Sequence, residues 1–163
     1  MTDIKRISFS ELKNWKECPH RHKLIHIDKL PYFEGNEFTA FGTAIHAVCE
    51  EIIIDSKKDA INIFELNFLN ELITLRSQGK ELNDALVKEM RQQAKPICTQ
   101  VIPAVKEYFG DFEVVSVEEE ILEPIREFDS YGKNFKGFID LTIKTPDNKY
   151  HVIDWKTCSW GWN

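Results

Sequence analysis

The chain has 163 residues, 42% of them apolar and 29% charged, with a net charge of −6. That length suits one domain with a real core, and the composition excludes a disordered or low-complexity protein. The negative balance excludes a protein that coats nucleic acid through bulk electrostatics, but not one that grips it locally, because a bound cation reverses the field of the carboxylates that hold it.

No stretch reaches the roughly 18 uninterrupted apolar residues of a membrane span. The opening MTDIKRISFS has no apolar run of the kind that directs secretion. The expected setting is the cytoplasm of a cell or of a phage-infected cell, with no membrane partner. The four cysteines, Cys18, Cys49, Cys98 and Cys158, include no C-x-x-C pair. They are expected to be reduced, small apolar residues rather than a disulfide framework.

In chain order, Ser8-Phe9-Ser10-Glu11 has the form of a capping box, with Leu12 and Trp15 following at helical spacing. Cys18-Pro19 interrupts that helix, and the basic stretch His20, Arg21, His22, Lys23 leads on to Leu30-Pro31. A loop with Gly35 and Asn36 precedes a helix from Phe38 to about Ile54. Ser56 through Asp59 caps another, which Gly79 ends. Asn83 or Asp84 opens the next, running to Gly110, with a kink or break expected at Pro96 and Pro103.

After Gly110 the pattern turns to period two. Val115, Val117 and Ile121 mark a long strand among glutamates, and Asn134–Lys144 and Lys149–Thr157 read as two more. The expectation is a single α/β (α+β) domain over residues 1–163, mainly helical over 1–110. That half packs on a small mixed or antiparallel sheet over 111–157.

The last two strands are joined by Thr145-Pro146-Asp147-Asn148-Lys149. Pro146 suits the first corner of a type I turn, and Asn148 tolerates the left-handed conformation that must follow. A three-residue loop centred on Asp147 sets Asp140 opposite Asp154. Carboxylates about 4.5–5.5 Å apart at Cβ repel unless a proton or a cation sits between them. Lys156 shares their face, while Ile139, Leu141, Ile143, Ile153 and Trp155 gather on the other. Mg²⁺ or Mn²⁺, hard ions that favour oxygen ligands, would give such a cluster a chemical role on phosphodiesters. The alternative is that both aspartates are solvated and Lys156 is a surface ion-pair partner.

Gly137-Phe138-Ile139-Asp140 followed by Val152-Ile153-Asp154-Trp155-Lys156-Thr157 resembles the G-x-x-D … (I/V)-D-x-K-T signature of RecB-like nucleases in the PD-(D/E)xK superfamily. Phe41-Gly42-Thr43-Ala44-Ile45-His46 resembles the family's F-G-T-x-x-H element. Ser8-Phe9-Ser10-Glu11-Leu12 with Cys18-Pro19 resembles its N-terminal element. The stretch from about Asp55 to Phe112 carries no such likeness.

The resemblance implies a restriction-endonuclease-like core and a metal-dependent DNA nuclease, with exonuclease action in recombination, repair or phage DNA metabolism. It implies that Asp140 and Asp154 bind the metal, that His46 completes its coordination, and that Lys156 assists attack on the phosphate. Glu120 is a further candidate for that site, against the commoner role of a solvated carboxylate. Glu50 shares the His46 face and is a candidate to hydrogen-bond the imidazole, whereas Cys49 is expected to pack. His20, Arg21, His22 and Lys23 are expected to contact phosphates.

Two departures from the family pattern shape further expectations. RecB-like nucleases continue past the D-x-K strand into a helix carrying Gln-x-x-x-Tyr and a further strand, whereas this sequence ends seven residues past Lys156. An open sheet face near Trp155, Trp160 and Trp162 is then expected to be covered by self-association or by a second chain. Relatives with a [4Fe–4S] cluster use one N-terminal cysteine and three beyond the active site, and here only Cys158 lies there, so no cluster is expected. A non-catalytic DNA-binding or scaffold module of the same fold is the alternative to an enzyme.

Overall fold

The computed structural model describes residues 5–30, 35–126 and 133–158. Pro31, Trp160 and Trp162 lie outside the described residues.

A short strand, β1 (Lys5–Ser8), precedes the first helix and was not legible in the sequence, being only 4 residues long. Helix α1 (Phe9–Glu17) starts where expected, since Ser8 Oγ accepts from the Glu11 N–H at 3.2 Å. It stops at Cys18, whose backbone is extended. Pro19, lacking an N–H, then opens the short α2 (Pro19–His22), and Cys18 Sγ accepts from the Arg21 N–H. A π-helical turn, Lys23–Ile27, carries the chain on.

Helix α3 (Glu37–Ile54) has a reciprocal capping box between Asn36 and Thr39. Its buried residues come in pairs every four positions, namely Ala40/Phe41, Ala44/Ile45, Val48/Cys49 and Ile52/Ile53. That repeat keeps one face against the core. Helix α4 (Ala60–Ser77) is capped by Asp59. It ends in a Schellman motif, with Gly79 at φ 79 donating to Arg76 O and Lys80 donating to Leu75 O.

Of the kink or break expected at Pro96 and Pro103, a break does not occur, since helix α5 (Asp84–Phe109) runs through both prolines. Each interior proline removes a backbone hydrogen bond at a cost of about 3 kcal/mol. The buried stripe Met90, Ala94, Cys98, Val101 and Val105 spans both prolines and offsets that cost. Thr99 Oγ1 also donates to the carbonyls of Lys95 and Pro96.

Three strands follow: β2 (Glu113–Pro124), β3 (Lys133–Lys144) and β4 (Tyr150–Ile153). The order is β1-β3-β2, with β4 also on β3. β1 runs parallel to β3, pairing Lys5 with Lys133 through Ser8 with Lys136. β4 runs antiparallel, pairing Leu141 with Ile153 and Lys144 with Tyr150. The sheet is therefore mixed, and the hairpin register is the one the Asp147-centred loop requires. Asn148 is left-handed at φ 62, and Thr145 and Lys149 close the loop with an N–H···O bond of 3.0 Å.

The chain divides into two compact units. One comprises residues 1–33 and 118–139, the other residues 34–117 and 140–163. The second holds the main core, in which α3, α4 and α5 pack with Leu141 and Ile143 of β3. At its centre Phe64 and Phe68 stack at 5.1 Å between centroids, and Phe41 meets both edge-on.

Candidate metal centre

Leu141 and Ile143 point into the core, so by strand alternation Asp140 does not. Its side chain is only 13% exposed, and Oδ2 accepts a 2.7 Å hydrogen bond from the Trp155 main-chain N–H. That bond also explains why β4 is shorter than the Lys149–Thr157 strand expected. At Trp155 the chain's donor turns to a side-chain carboxylate instead of extending the backbone ladder.

His46 reaches Asp140 from α3. Gly42, His46 and Glu50 recur every fourth residue on a half-buried face beside the core stripe. His46 Nδ1 lies 3.9 Å from Asp140 Oδ2. This is too long for a hydrogen bond. The two atoms are nonetheless close enough for a small shift of either side chain to bring both within reach of one cation. One turn earlier, a Cβ added to Gly42 would stand 3.1 Å from Thr157 Oγ1. The glycine thus admits the chain leaving β4, and residues 154–158 are pinned at both Trp155 and Thr157.

Asp154 and Lys156 sit on that pinned segment and meet each other, the Lys156 ammonium donating to Asp154 Oδ1. The Asp154 side chain is 61% exposed. It does not join His46 and Asp140 in a common ligand set among the described residues. The structure therefore brings the four residues together as two pairs: His46 with Asp140, and Asp154 with Lys156.

Cys49 is inert beside them. Burial pushes its thiol up to about 12, and the neighbouring Cys98, Glu50 and Asp140 add to the shift. It packs in the core, as the sequence suggested.

Glu120 is engaged elsewhere, accepting from Lys136 Nζ at 3.0 Å. In the same glutamate run, the residue with an unusual backbone is Glu118, left-handed at φ 47 inside β2. Side-chain composition gives no hint of this. The basic stretch is likewise partnered by acids: Arg21 lies 3.7 Å from Glu17, His22 3.1 Å from Glu11, and Lys23 2.9 Å from Asp28. His20 is exposed.

Residues 6–161 match the model of the PD-(D/E)XK nuclease superfamily, and the chain belongs to that superfamily. Membership implies a nuclease and, with it, DNA as the substrate. No curated protein and no solved structure matches the chain. No helix among the described residues is long and apolar enough to cross a membrane.

Sequence reasoning missed two features that hold this site: the Trp155 main-chain N–H on Asp140 and the approach of Thr157 to Gly42. The hairpin register contained the signal for the first, because it already set residues 154 and 155 beside residue 140.

Proposed function

We propose that this protein is a deoxyribonuclease dependent on Mg²⁺ or Mn²⁺, acting as an exonuclease on DNA ends in recombination, repair or phage DNA metabolism. The observation that carries the reading is the His46–Asp140 pair, with Asp140 held by the Trp155 N–H, in a chain of the PD-(D/E)XK superfamily. An imidazole nitrogen and a carboxylate oxygen, with no ionised thiol beside them, form a donor set suited to these ions.

His46 and Asp140 hold the ion in this reading, and Asp154 joins them by turning away from Lys156. A bound ion polarises a phosphodiester and makes hydroxide available from water near neutral pH. Lys156, freed from Asp154, counters the negative charge that grows on the phosphate and orients the attacking water. The Trp155 N–H fixes the orientation of the Asp140 carboxylate through a 2.7 Å hydrogen bond to Oδ2.

A second reading, a DNA-binding or scaffold module without turnover, draws on one observation. Asp154 and Lys156 neutralise each other on an exposed segment. Incubation of wild type, Asp154→Ala and Lys156→Ala with end-labelled linear DNA and Mn²⁺ separates the readings. Loss of label by wild type alone is the expected result. Equal degradation by all three would remove the enzymatic claim, and DNA bound but uncut by wild type would promote the scaffold.

A further inference from the structure

Helix α1 is built inside out. Of its nine residues only Glu11 and Asn14 are withdrawn from solvent, and none is buried. Both turn inward to hydrogen-bond the stacked pair His22 and His26, at 3.1 Å for Glu11 and 3.0 Å for Asn14. The apolar side chains face the other way, with Phe9 69% and Trp15 57% exposed. At 3.6 residues per turn, Trp15, Leu12, Lys16, Phe9 and Lys13 fill one continuous arc of about 160°. Two aromatic rings, Leu12 and two lysines thus share one outward surface.

Along residues 6–30 the cations Arg6, Lys13, Lys16, Arg21, Lys23 and Lys29 outnumber the acids Glu11, Glu17 and Asp28, in a protein whose net charge is −6. Lys13 lies 3.9 Å from Glu17 in an exposed pair that a phosphate can displace, and Glu118, Glu119, Glu120 and Glu123 belong to the same compact unit. Exposed aromatic rings set among lysines form the stacking platform and electrostatic track on which proteins bind single-stranded nucleic acid. A helix that hid its polar residues for lack of any ligand would forgo the burial of its three apolar ones.

We infer that the outward face of α1 binds single-stranded nucleic acid, with Phe9 and Trp15 stacking on bases and Lys13 and Lys16 contacting phosphates. The identity of the ligand rests on the nuclease reading, but the binding does not require cleavage. It is measured on the full chain in EDTA, by the anisotropy of a fluorescein-labelled oligothymidylate of about 16 nucleotides, a typical site size.

Trp15→Ala is expected to raise Kd about tenfold, the loss of one base stack. The Lys13→Ala/Lys16→Ala variant is expected to lower the slope of log Kd against log salt by about 1.4, two phosphate contacts on a single strand. Circular dichroism of these exposed-residue variants should match wild type. Unchanged affinity in Phe9→Ala/Trp15→Ala would overturn the inference. So would a wild-type dimer, seen by light scattering, that these variants dissociate without loss of oligonucleotide affinity, because the face would then belong to a second copy. A wild type that binds the oligonucleotide through α1 yet cuts no DNA in Mn²⁺ would remove the hydrolytic reading and leave this one standing.

Discussion

Asp140 and Trp155 are joined by a hydrogen bond of 2.7 Å, from the main-chain N–H of one to the nearly buried carboxylate of the other. The bond ends the β4 ladder, orients the carboxylate toward His46, and positions the segment that carries Asp154 and Lys156. Charge and geometry at Asp140 are therefore separable by mutation.

Asp140→Asn keeps an oxygen for the Trp155 N–H and should cost at most about 1 kcal/mol of stability. Asp140→Ala leaves that donor unpaired and should cost about 1.5–3 kcal/mol, the range for hydrogen bonds to charged groups. Urea denaturation of both variants checks the difference. Equal losses would mean that the bond to Trp155 does not order the segment.

The thiols should divide into two classes. Cys18 and Cys158 are exposed and should react with iodoacetamide at about pH 8, whereas Cys49 and Cys98 should react only after unfolding. The same burial links stability to pH. The Cys49 and Cys98 thiols rise from 9.0 to about 12 and about 11, so the folded state keeps protons that the unfolded chain releases. Their contribution is complete below about pH 9 and is lost as the pH climbs through those values. Denaturation midpoints that stay level up to about pH 11 would contradict this.

Within the glutamate run, the two substitutions of interest should differ in sign. Glu118 is left-handed at φ 47, a conformation that costs an ordinary residue about 1–2 kcal/mol. Glu118→Gly should therefore raise stability by about 0.5–1 kcal/mol after the added chain entropy of glycine. Glu120→Gln removes an exposed ion pair with Lys136 and should lower stability by less than about 1 kcal/mol. Thermal unfolding of both variants decides. A destabilised Glu118→Gly would show that contacts of the glutamate outweigh its backbone strain.

The stacked rings Phe64 and Phe68 define the centre of the helical core. Phe68→Ala should cost about 3–5 kcal/mol. At this chain size that lowers the melting temperature by roughly 6–20 °C. A loss below about 1 kcal/mol would place the stabilising core elsewhere.

Much of this could be read from the sequence because local chemistry dictates it. Asn36, Asp59 and Asn83 start helices with side-chain oxygens, Gly79 stops one, and Asn148 fixes a hairpin register residue by residue. The bounds of α5 were legible, but not that it passes Pro96 and Pro103 without a break, since the tertiary packing that outweighs two prolines leaves no local mark. Nor was the length of β4, which depends on Trp155 preferring the side chain of Asp140 to a backbone partner. The pairing of Lys156 with Asp154 was legible only as the alternative to a metal cluster, because strand alternation predicts the face of a residue only while the chain remains a strand. The exposure of Phe9 and Trp15 was hidden too, because the same spacing would serve a buried helix equally well.

The central claim is that His46 and Asp140 share one divalent ion, and isothermal titration of Mn²⁺ into the metal-free protein tests it most directly. Wild type should bind, while His46→Gln and Asp140→Asn should each bind at least about tenfold more weakly, ligand loss costing no less than the loss of an outer hydrogen bond. Isotherms for the two variants that overlay the wild-type curve would contradict the assignment.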